Sequence, residues 1–417
     1  MRLTIAAAAV LLVLIVPSAA QAAYCDTLPA WTGAGPTTTV SAGQSIQAAV
    51  NGTPAGGTVS LLDGNYGKQR VTIKKAIRLK AQNKYGARLQ GTKPRSANDG
   101  RATGTAINVT GAGAMIDGLD IRYYSQGIVG DNVGPVNIRN NRLVSHEDAA
   151  ISIYDARAPR VECNDIRDPY LANDVAAQTP TQTGGVSDAQ SDYGVAVYGA
   201  RSPIVNNNYF FGIFNQSLSF KEGSTNPTAN RNTFEGSRLT ALFFGQNRPH
   251  NGPYEYARLP TGFDRGVLTA VRNVFRQVRD ARGVYYLRSP IRVRHVQASA
   301  GSILRGNVVE SGAQGLFMEC NQSTGDAGCT SRTVRLEDNT VGGAVIVGSI
   351  RYQVNTTACI LTGPTASAVA IDTRCISVPV VRSGPNTVTQ TGTVSASAPV
   401  STLRTGPAPV FEPDLSY

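Results

Sequence analysis

Residues 136–143 read VNIRNNRL, and this short run carries the pattern that decides the fold: a few strand-forming residues, then an asparagine, any residue and an apolar one. The signature occurs seven times along the chain. Its asparagines are Asn141, Asn164, Asn208, Asn232, Asn273, Asn307 and Asn339. They lie 23, 44, 24, 41, 34 and 32 residues apart. The first three spacings are one, two and one copies of a unit of about 22 residues, and the later ones are that unit with insertions.

A repeat of this length, with many glycines and no long helical pattern, predicts a solenoid of parallel strands. Each coil adds one strand to each stacked sheet, about 4.8 Å from the next. Asparagines at equivalent turns would form a hydrogen-bonded ladder, which explains their recurrence without a catalytic role. The segment SIQAAVNGTPAGGTVSLLDGNY, at residues 45–66, indicates an amphipathic helix followed by the first strand. We therefore predict an all-β parallel β-helix with a short N-terminal capping helix.

The two ends of the chain differ from this repeat. Residues 1–22 have one basic residue, an apolar run and the small-x-small site Ala20-Gln21-Ala22, which is the pattern of a secretory signal peptide. No later stretch approaches the roughly 20 apolar residues of a membrane span, so we expect a secreted or periplasmic monomer that does not enter the membrane. The β-helix domain is expected over residues 23–375. Residues 376–417, rich in Ser, Thr, Pro and Gly, are expected to form an irregular coil or tail.

The cysteines fit an oxidising compartment. Six cysteines allow 15 pairings, and the sequence suggests only two local ones, Cys320 with Cys329 and Cys359 with Cys375. No Cys/His spacing suits a metal, so we predict no metal site from the residues themselves.

Positive charge is concentrated in one part of the chain. The formal net charge is +11, and removal of Arg2 with the signal peptide leaves +10. Ten arginines fall between positions 248 and 294, against three acidic residues. They are Arg248, Arg258, Arg265, Arg272, Arg276, Arg279, Arg282, Arg288, Arg292 and Arg294. This stretch is either a solvated basic face or a track for an acidic polymer, and we expect an anionic polysaccharide as partner. Nucleic acid is a poor candidate because an aromatic-rich binding motif is lacking.

Several segments resemble a known family. SIQAAV, GGTVSLLDGNYGKQRVTI, AMIDGLDI and the asparagine coils resemble right-handed parallel β-helix proteins that act on polysaccharides, and the likeness is closest to the chondroitinase B and alginate lyase family. It extends from about residue 45 to about residue 347. It implies a right-handed β-helix and a lyase that cleaves a uronic-acid polysaccharide by β-elimination.

The strands opposite the asparagine turns can be aligned with one another. They read ISIYD (151–155), VAVYG (195–199), LSFKE (218–222), LFFGQ (242–246), VYYLR (284–288) and LFMEC (316–320). The fourth residues of these strands are Tyr154, Tyr198, Lys221, Gly245, Leu287 and Glu319. Side chains alternate along a strand, so this row should face outward and form the floor of a groove, with open space at the glycine. Insertions at 172–192 and 247–266 would wall the groove on either side of Lys221.

The chemistry of β-elimination assigns roles to this row. An enzyme must remove the proton at C5 of the sugar, neutralise the carboxylate and protonate O4. A lysine serves as base only if its pKa, about 10.4 in water, is lowered by burial or nearby cations. The predicted catalytic residues are Lys221, Arg248 and Tyr198. The predicted substrate-binding residues are Tyr154, Asp155, Glu222, Gln246, His250 and Arg288.

In the resembling family a lysine on this sheet is the base, an arginine about one coil onward assists, and acidic and Asn side chains bind calcium. Lys221 matches the lysine. The arginine and the calcium ligands have no match at their positions, so Arg248 or Arg288 would neutralise the carboxylate and no cofactor is predicted.

Three alternatives remain at this point. A glycoside hydrolase needs clustered carboxylates, and Asp155, Glu222 and Glu319 are scattered over several coils. A C5-epimerase shares most of the chemistry of the lyase. A non-catalytic polysaccharide-binding β-helix would keep basic and aromatic residues without needing Lys221.

Overall fold

The protein is described from a computed structural model. It covers residues 24–92, 104–167, 193–213, 215–237, 240–245, 265–276, 278–280, 283–285, 289–294, 297–298, 301–309, 316–319, 334–337, 339–341, 345–347, 353–355, 360–362, 368–372, 380–382 and 387–391. These residues form a parallel β-helix, in which three long sheets run along the molecule and enclose one apolar core. The predicted fold class is confirmed.

The sheets are named A, B and C here. Among the described residues, sheet A has 13 strands: Thr37–Val40, Thr58–Leu61, Arg78–Ala81, Met115–Asp117, Asn137–Arg139, Arg160–Glu162, Ile204–Asn206, Thr228–Asn230, Thr269–Val271, Ser302–Arg305, Val334–Glu337, Ile360–Thr362 and Gln353–Asn355. Sheet B has 10 within the same ranges: Gly64–Asn65, Ala87–Gln90, Asp120–Arg122, Arg142–Val144, Asp165–Arg167, Tyr209–Phe211, Thr233–Glu235, Val274–Arg276, Val308–Val309 and Thr340–Val341.

Sheet C has 11 strands in the part of the chain that the structure describes: Val71–Ile73, Thr105–Val109, Gln126–Asp131, Ala149–Tyr154, Tyr193–Tyr198, Gln216–Lys221, Thr240–Gly245, Ser289–Arg294, Leu316–Glu319, Val345–Val347 and Val380–Arg382. Three short pairs lie apart from the long sheets. They are Arg265–Gly266 with Gln297–Ala298, Val278–Asp280 with Gly283–Tyr285, and Ala368–Asp372 with Thr387–Thr391.

Each coil passes from sheet C to sheet A and then to sheet B, as in Gln126–Asp131, Asn137–Arg139 and Arg142–Val144. Alternate side chains enter the core, where like residues stack on like. The rings of Phe210, Phe234 and Phe275 lie 4.8 and 4.9 Å apart in nearly parallel planes. Parallel register at one strand spacing brings equivalent residues into contact, so a repeat in sequence becomes a column in space.

The predicted asparagine ladder is confirmed at the turn between sheets A and B. Asn208 Oδ1 accepts hydrogen bonds from the backbone N–H and side-chain Nδ2 of Asn164, at 2.9 and 3.0 Å. Asn208 Nδ2 donates to the carbonyl oxygen of Val161 at 2.8 Å. The same side-chain bond joins every neighbouring pair from Asn141 to Asn339. The prediction that two units separate Asn164 from Asn208 was wrong, because the two are direct neighbours in the ladder and a single longer coil joins them. All seven side chains are buried, so the ladder satisfies backbone groups that a turn would otherwise leave unpaired.

The capping helix is also confirmed, and it spans Ile46–Gly52. Ser45 is its N-cap, and the hydroxyl accepts a hydrogen bond from the backbone N–H of Ala48 at 3.1 Å. Ile46 and Val50, one turn apart, are buried against the first coil. The expected order was wrong in one respect: the strand Thr37–Val40 precedes the helix and pairs in parallel with Thr58–Leu61. Its run of three threonines and a valine favours an extended chain.

The N-terminal segment is fastened to sheet A by a disulfide bond. Cys25 and Cys163 are 138 residues apart in sequence and 5.8 Å apart at their Cα atoms. The Tyr24 hydroxyl donates to Glu162 Oε1 at 3.0 Å beside this link. The predicted local pairings, Cys320 with Cys329 and Cys359 with Cys375, lie outside the described residues. No helix among the described residues is long and apolar enough to span a membrane.

One strand of the sequence alignment was wrong. The segment 284–288 was expected to follow 242–246 in the outward row, with Leu287 in the fourth position. Thr240–Gly245 instead pairs with Ser289–Arg294, and Gly245 is opposite Arg294. Gly283–Tyr285 forms an antiparallel pair with Val278–Asp280. Residues 284–288 (VYYLR) and 291–294 (IRVR) are both rich in strand-forming residues, so local propensity did not distinguish the sheet C strand from the insertion.

Candidate functional site

The predicted row of side chains is present on sheet C. Asp131 is in register with Tyr154, Tyr154 with Tyr198, and Tyr198 with Lys221. The rings of the two tyrosines stack at 5.0 Å with an angle of 6° between their planes. The core of the β-helix includes Phe220 but not Lys221, as alternation requires. The row therefore belongs to the outer face of the sheet.

This part of the outer face is covered, which differs from the open groove floor that was expected. The Lys221 side chain is buried, with 1% of its surface exposed. Gly245 is also buried, so it does not mark open space. The Lys221 ammonium lies 5.9 Å from the ring centre of Tyr198 and 5.8 Å from that of Phe243. Lys221 thus lies flat along the sheet under aromatic cover instead of projecting into water.

One described polar partner of this amine is a residue that the sequence analysis missed. Lys221 Nζ is 3.0 Å from the hydroxyl oxygen of Tyr193, and it lies 4.2 Å from the centre of the same ring. Tyr193 begins the strand Tyr193–Tyr198 and is in register with Gln216, five residues before Lys221. Its place at the edge of the insertion that ends near residue 192 was the available signal. An amine and a phenol in direct contact are a potential base and acid for proton transfer.

Two unsatisfied polar atoms lie on the strand that carries Lys221. The Oε1 atom of Gln216 and the Oγ atom of Ser219 are buried and have no hydrogen-bond partner among the described residues. Buried polar atoms are nearly always paired, and each unpaired one costs on the order of 1–3 kcal/mol.

Two carboxylates accompany the tyrosine stack. Asp155 follows Tyr154 and turns the chain with a φ of 48°. Burial and the neighbouring charge of Asp131 raise the pKa of Asp155. Gly199 occupies the same turn one coil on, where an added Cβ would lie 2.4 Å from Asp155 Oδ1. Gly199 is therefore required for the carboxylate to lie against the turn.

Five of the nine predicted site residues are described. Tyr154, Asp155, Tyr198, Lys221 and Glu222 share this end of sheet C, and Glu222 takes the same left-handed turn position as Asp155, with a φ of 54°. Gln246, Arg248, His250 and Arg288 lie outside the described residues. The strand Ser289–Arg294 brings two other arginines to this region: Arg292 is in register with Phe243, and Arg294 with Gly245.

Metal binding was tested against the residues present. No group of three or more His, Cys, Asp and Glu side chains lies close enough to hold a metal ion in the part of the chain that the structure describes. Asp131 and Asp155 form only a pair there. The calcium of the resembling family thus has no matching carboxylate set among these residues, and we derive no step through it.

A search for related proteins of known function finds no significant sequence match. Among solved structures, it is similar to an alginate lyase from Paenibacillus sp. str. FPU-7, with 13% identity, a TM-score of 0.45 and coverage of 85% of this chain and 97% of the other.

Two further likenesses have similar scores. The A-module of an Azotobacter vinelandii mannuronan C-5 epimerase has 13% identity and a TM-score of 0.44, over 85% of this chain and 95% of that one. An endo-xylogalacturonan hydrolase from Aspergillus tubingensis has 10% identity and a TM-score of 0.40, over 85% and 93%. Scores this low carry no conclusion about activity.

A family model described as "Right handed beta helix region" matches residues 105–252, which include the Tyr154, Tyr198 and Lys221 strands. With its stacked parallel sheets, its asparagine ladder and this match, the chain is a right-handed parallel β-helix protein.

Proposed function

We propose that the protein is an exported lyase that cleaves a uronic-acid polysaccharide by β-elimination on the outer face of sheet C. The observation that carries the proposal is the contact between Lys221 Nζ and the Tyr193 hydroxyl, 3.0 Å apart under aromatic cover. It places two proton-transferring groups together on a face that also carries stacked tyrosines. The sequence resemblance to polysaccharide lyases supports the same chemistry.

The reaction assigns opposite roles to these two groups. Lys221, in its neutral form, takes the proton from C5 of the uronate. The electrons of the broken C5–H bond form the C4=C5 double bond, and the C4–O4 bond breaks with its electron pair on O4. Tyr193 donates its phenolic proton to O4, which leaves as a hydroxyl group. Water then restores the starting protonation of both residues, so no oxidant or cofactor is consumed.

Substrate binding uses the tyrosine stack and the unsatisfied polar atoms. The partly exposed ring of Tyr154 offers an apolar surface on which a sugar ring can pack, and the buried ring of Tyr198 stacks against it and supports it. Gln216 Oε1 and Ser219 Oγ can accept hydrogen bonds from sugar hydroxyls. Sugar hydroxyls would thereby replace hydrogen bonds that the free protein lacks.

An arginine is needed to stabilise the uronate carboxylate as negative charge develops on it. Arg292 is our first choice because it lies in the outward row of Ser219 and Phe243. The originally predicted Arg248 and Arg288 remain candidates. Replacement of each arginine by glutamine should identify the neutralising residue, since only its loss lowers kcat as well as raising KM.

A glycoside hydrolase is the second candidate, and one observation favours it. The pKa of Asp155 is raised by burial and by Asp131 beside it. A carboxyl group with a raised pKa beside a second carboxyl group is the arrangement from which glycosidic hydrolysis draws its general acid. In that case Asp131 and Asp155 would be essential, and Lys221 would only bind substrate.

The deciding experiment incubates the purified protein with a panel of alginate, glucuronan, hyaluronan, chondroitin and pectate. A rise in the ultraviolet absorbance of the C4=C5 double bond identifies elimination. New reducing ends without that absorbance would establish hydrolysis, and a change of uronate configuration without cleavage would establish epimerisation. Binding without any of the three products would assign a non-catalytic binding protein.

The Tyr193→Phe variant tests the proton donor on the polymer that is cleaved. It keeps the ring over Lys221 and removes only the hydroxyl, so kcat should fall by about 10²-fold or more. The matched control is Tyr66→Phe, which removes a buried hydroxyl near the capping helix, away from sheet C, and should leave kcat unchanged. Equal activity of Tyr193→Phe and the parent protein would exclude Tyr193 as the donor.

A further inference from the structure

The outer face of sheet B carries a regular ladder of arginines that the proposed reaction does not use. Arg88, Arg122, Arg142 and Arg167 lie on four successive strands, one on each coil. Arg88 and Arg142 occupy the first row of the ladder, in register with Asp120 and Asp165. Arg122 and Arg167 occupy the row two residues further along their strands. The four guanidinium groups therefore alternate between two rows at a rise of about 4.8 Å per coil.

The two acids of this ladder hold the arginines in place from below. Asp120 bonds to Arg88 Nε at 3.1 Å and to Arg122 Nε at 2.7 Å. Asp165 bonds in the same way to Arg142 Nε at 3.3 Å and to Arg167 Nε at 2.5 Å.

The exposure of the two kinds of side chain differs strongly. The Asp120 and Asp165 side chains are 1% and 14% exposed, whereas those of the four arginines are between 23% and 47% exposed. The two carboxylates are therefore shielded from solvent, while the four guanidinium groups that they bind are partly exposed.

Three of these arginines keep their outer ends available. Arg88, Arg142 and Arg167 use only Nε in their ion pairs, and their Nη atoms make no hydrogen bond to other described residues. Arg142 lies 4.3 Å above the ring of Tyr85, and Arg167 lies 5.0 Å above that of Tyr209. Stacking on a ring and pairing at Nε fix the plane of a guanidinium and leave its outer edge as a preorganised fork for an anion.

We propose that this arginine ladder is a second binding surface, separate from the sheet C site, for a linear polysaccharide that carries a carboxylate on successive sugars. One cation on each of four consecutive coils matches a polymer with regularly spaced charge. Forked guanidinium edges suit carboxylates, which accept two parallel hydrogen bonds. Nucleic acid is disfavoured because Tyr85 and Tyr209, the rings beside the ladder, already hold arginines on their faces and offer no platform for bases.

The ladder would hold a long chain while another part of the same chain, or a neighbouring chain, occupies sheet C. Short oligosaccharides that fill only one of the two surfaces would gain nothing from it. Loss of the ladder should therefore weaken the binding of long polymer and leave the binding of tetrasaccharides at the sheet C site unaffected.

The test uses the full chain with Lys221→Met, so that bound polymer is not degraded even if the proposed reaction is correct. In this background the double variant Arg88→Gln/Arg142→Gln removes two forks but leaves Arg122 on Asp120 and Arg167 on Asp165. The matched control Arg157→Gln/Arg201→Gln removes the same charge from two exposed arginines outside the ladder. Thermal unfolding of each variant establishes that it is folded.

Binding of alginate is measured by calorimetry at two salt concentrations. The ladder variant should bind on the order of fivefold more weakly than its parent at low salt, the control should bind like the parent, and the difference should shrink at high salt. Equal loss in both variants would reveal diffuse charge attraction and overturn the proposal, as would no loss in either. A single-stranded DNA of equal charge that binds more tightly through the same arginines would overturn the polysaccharide assignment. Each result stands whether or not the protein proves to be a lyase.

Discussion

The asparagine ladder and the outer face of sheet C are built on the same coils, but only the ladder repeats the same residue on each coil. In the ladder each coil supplies the same side chain, and every amide makes the same bonds to the coils on either side. On the outer face the register is equally regular, but the residues change from tyrosine to lysine to glycine. Repetition indicates a structural role in this fold, and a departure from it at a regular position indicates a candidate for chemistry.

The largest effect is expected at Lys221, where the outward row of sheet C changes from tyrosine to lysine. Lys221→Met keeps the long apolar stem under the aromatic cover and removes the amine. Turnover should fall by roughly 10²-fold to 10⁴-fold, as is typical when a general base is lost, while the melting temperature changes little. Initial rates by ultraviolet absorbance give the first quantity and calorimetry the second. The control is Lys68→Met, which replaces an exposed lysine. A Lys221→Met protein with the parental rate would contradict the proposed mechanism.

The second prediction tests the opposite region. Asn208→Ala removes an amide that accepts from Asn164 and donates to the Val161 carbonyl, both in the interior. The free energy of unfolding should fall by about 3 kcal/mol because buried backbone groups lose their partners. Denaturant titration measures it, with the exposed Asn51→Ala as control. A loss below that of the control would show that the ladder is not a source of stability.

The third prediction concerns how the stability of the protein depends on pH through the buried His146. Burial lowers the pKa of His146 from 6.5 to about 4. Above pH 6.5 the ring is neutral in both states and adds no pH dependence. Between pH 6.5 and pH 4 the unfolded chain takes up a proton that the folded chain does not, so stability falls as the pH falls, by up to about 3 kcal/mol in total.

Denaturant titrations at pH 7, 6, 5 and 4.5 measure this loss. The non-titrating variant His146→Gln should remove this component of the slope, whatever its effect on absolute stability. Identical slopes for the variant and the parent would contradict a neutral buried His146.

The smallest effect is expected from the tyrosine stack. The Tyr198 ring packs against Tyr154, while its hydroxyl has no role in the proposed proton transfer. Tyr198→Phe should therefore change kcat by less than about threefold, and Tyr198→Ala should raise KM because Tyr154 loses the ring that supports it. Steady-state kinetics on the cleaved polymer separate the two. A large loss of kcat in Tyr198→Phe would restore Tyr198, the original sequence prediction, as the proton donor.

Much of the fold was predictable because the same short sequence pattern recurs in each coil. Seven asparagines with the same flanking pattern were enough to identify the coils, although their spacings are single coils of different length and not multiples of one unit. The register of Tyr154, Tyr198 and Lys221 followed from counting outward from them. Counting along the sequence assigned the wrong strand between Gly245 and Arg294, because a long insertion separates two coils there. Residues 284–288 and 289–294 both contain strand-forming residues, and only pairing with Thr240–Gly245 selects the second segment.

The sequence by itself determined the coil, the ladder and the row of outward positions, because each depends on spacing along the chain. Only the tertiary structure decided that Lys221 is covered, that Tyr193 is its partner and that Cys25 reaches Cys163. These contacts join residues that are 28 and 138 positions apart, and in neither case do the two belong to the same repeated position. Their distances depend on how the turns and side chains fold over the outer faces, and no local pattern encodes that.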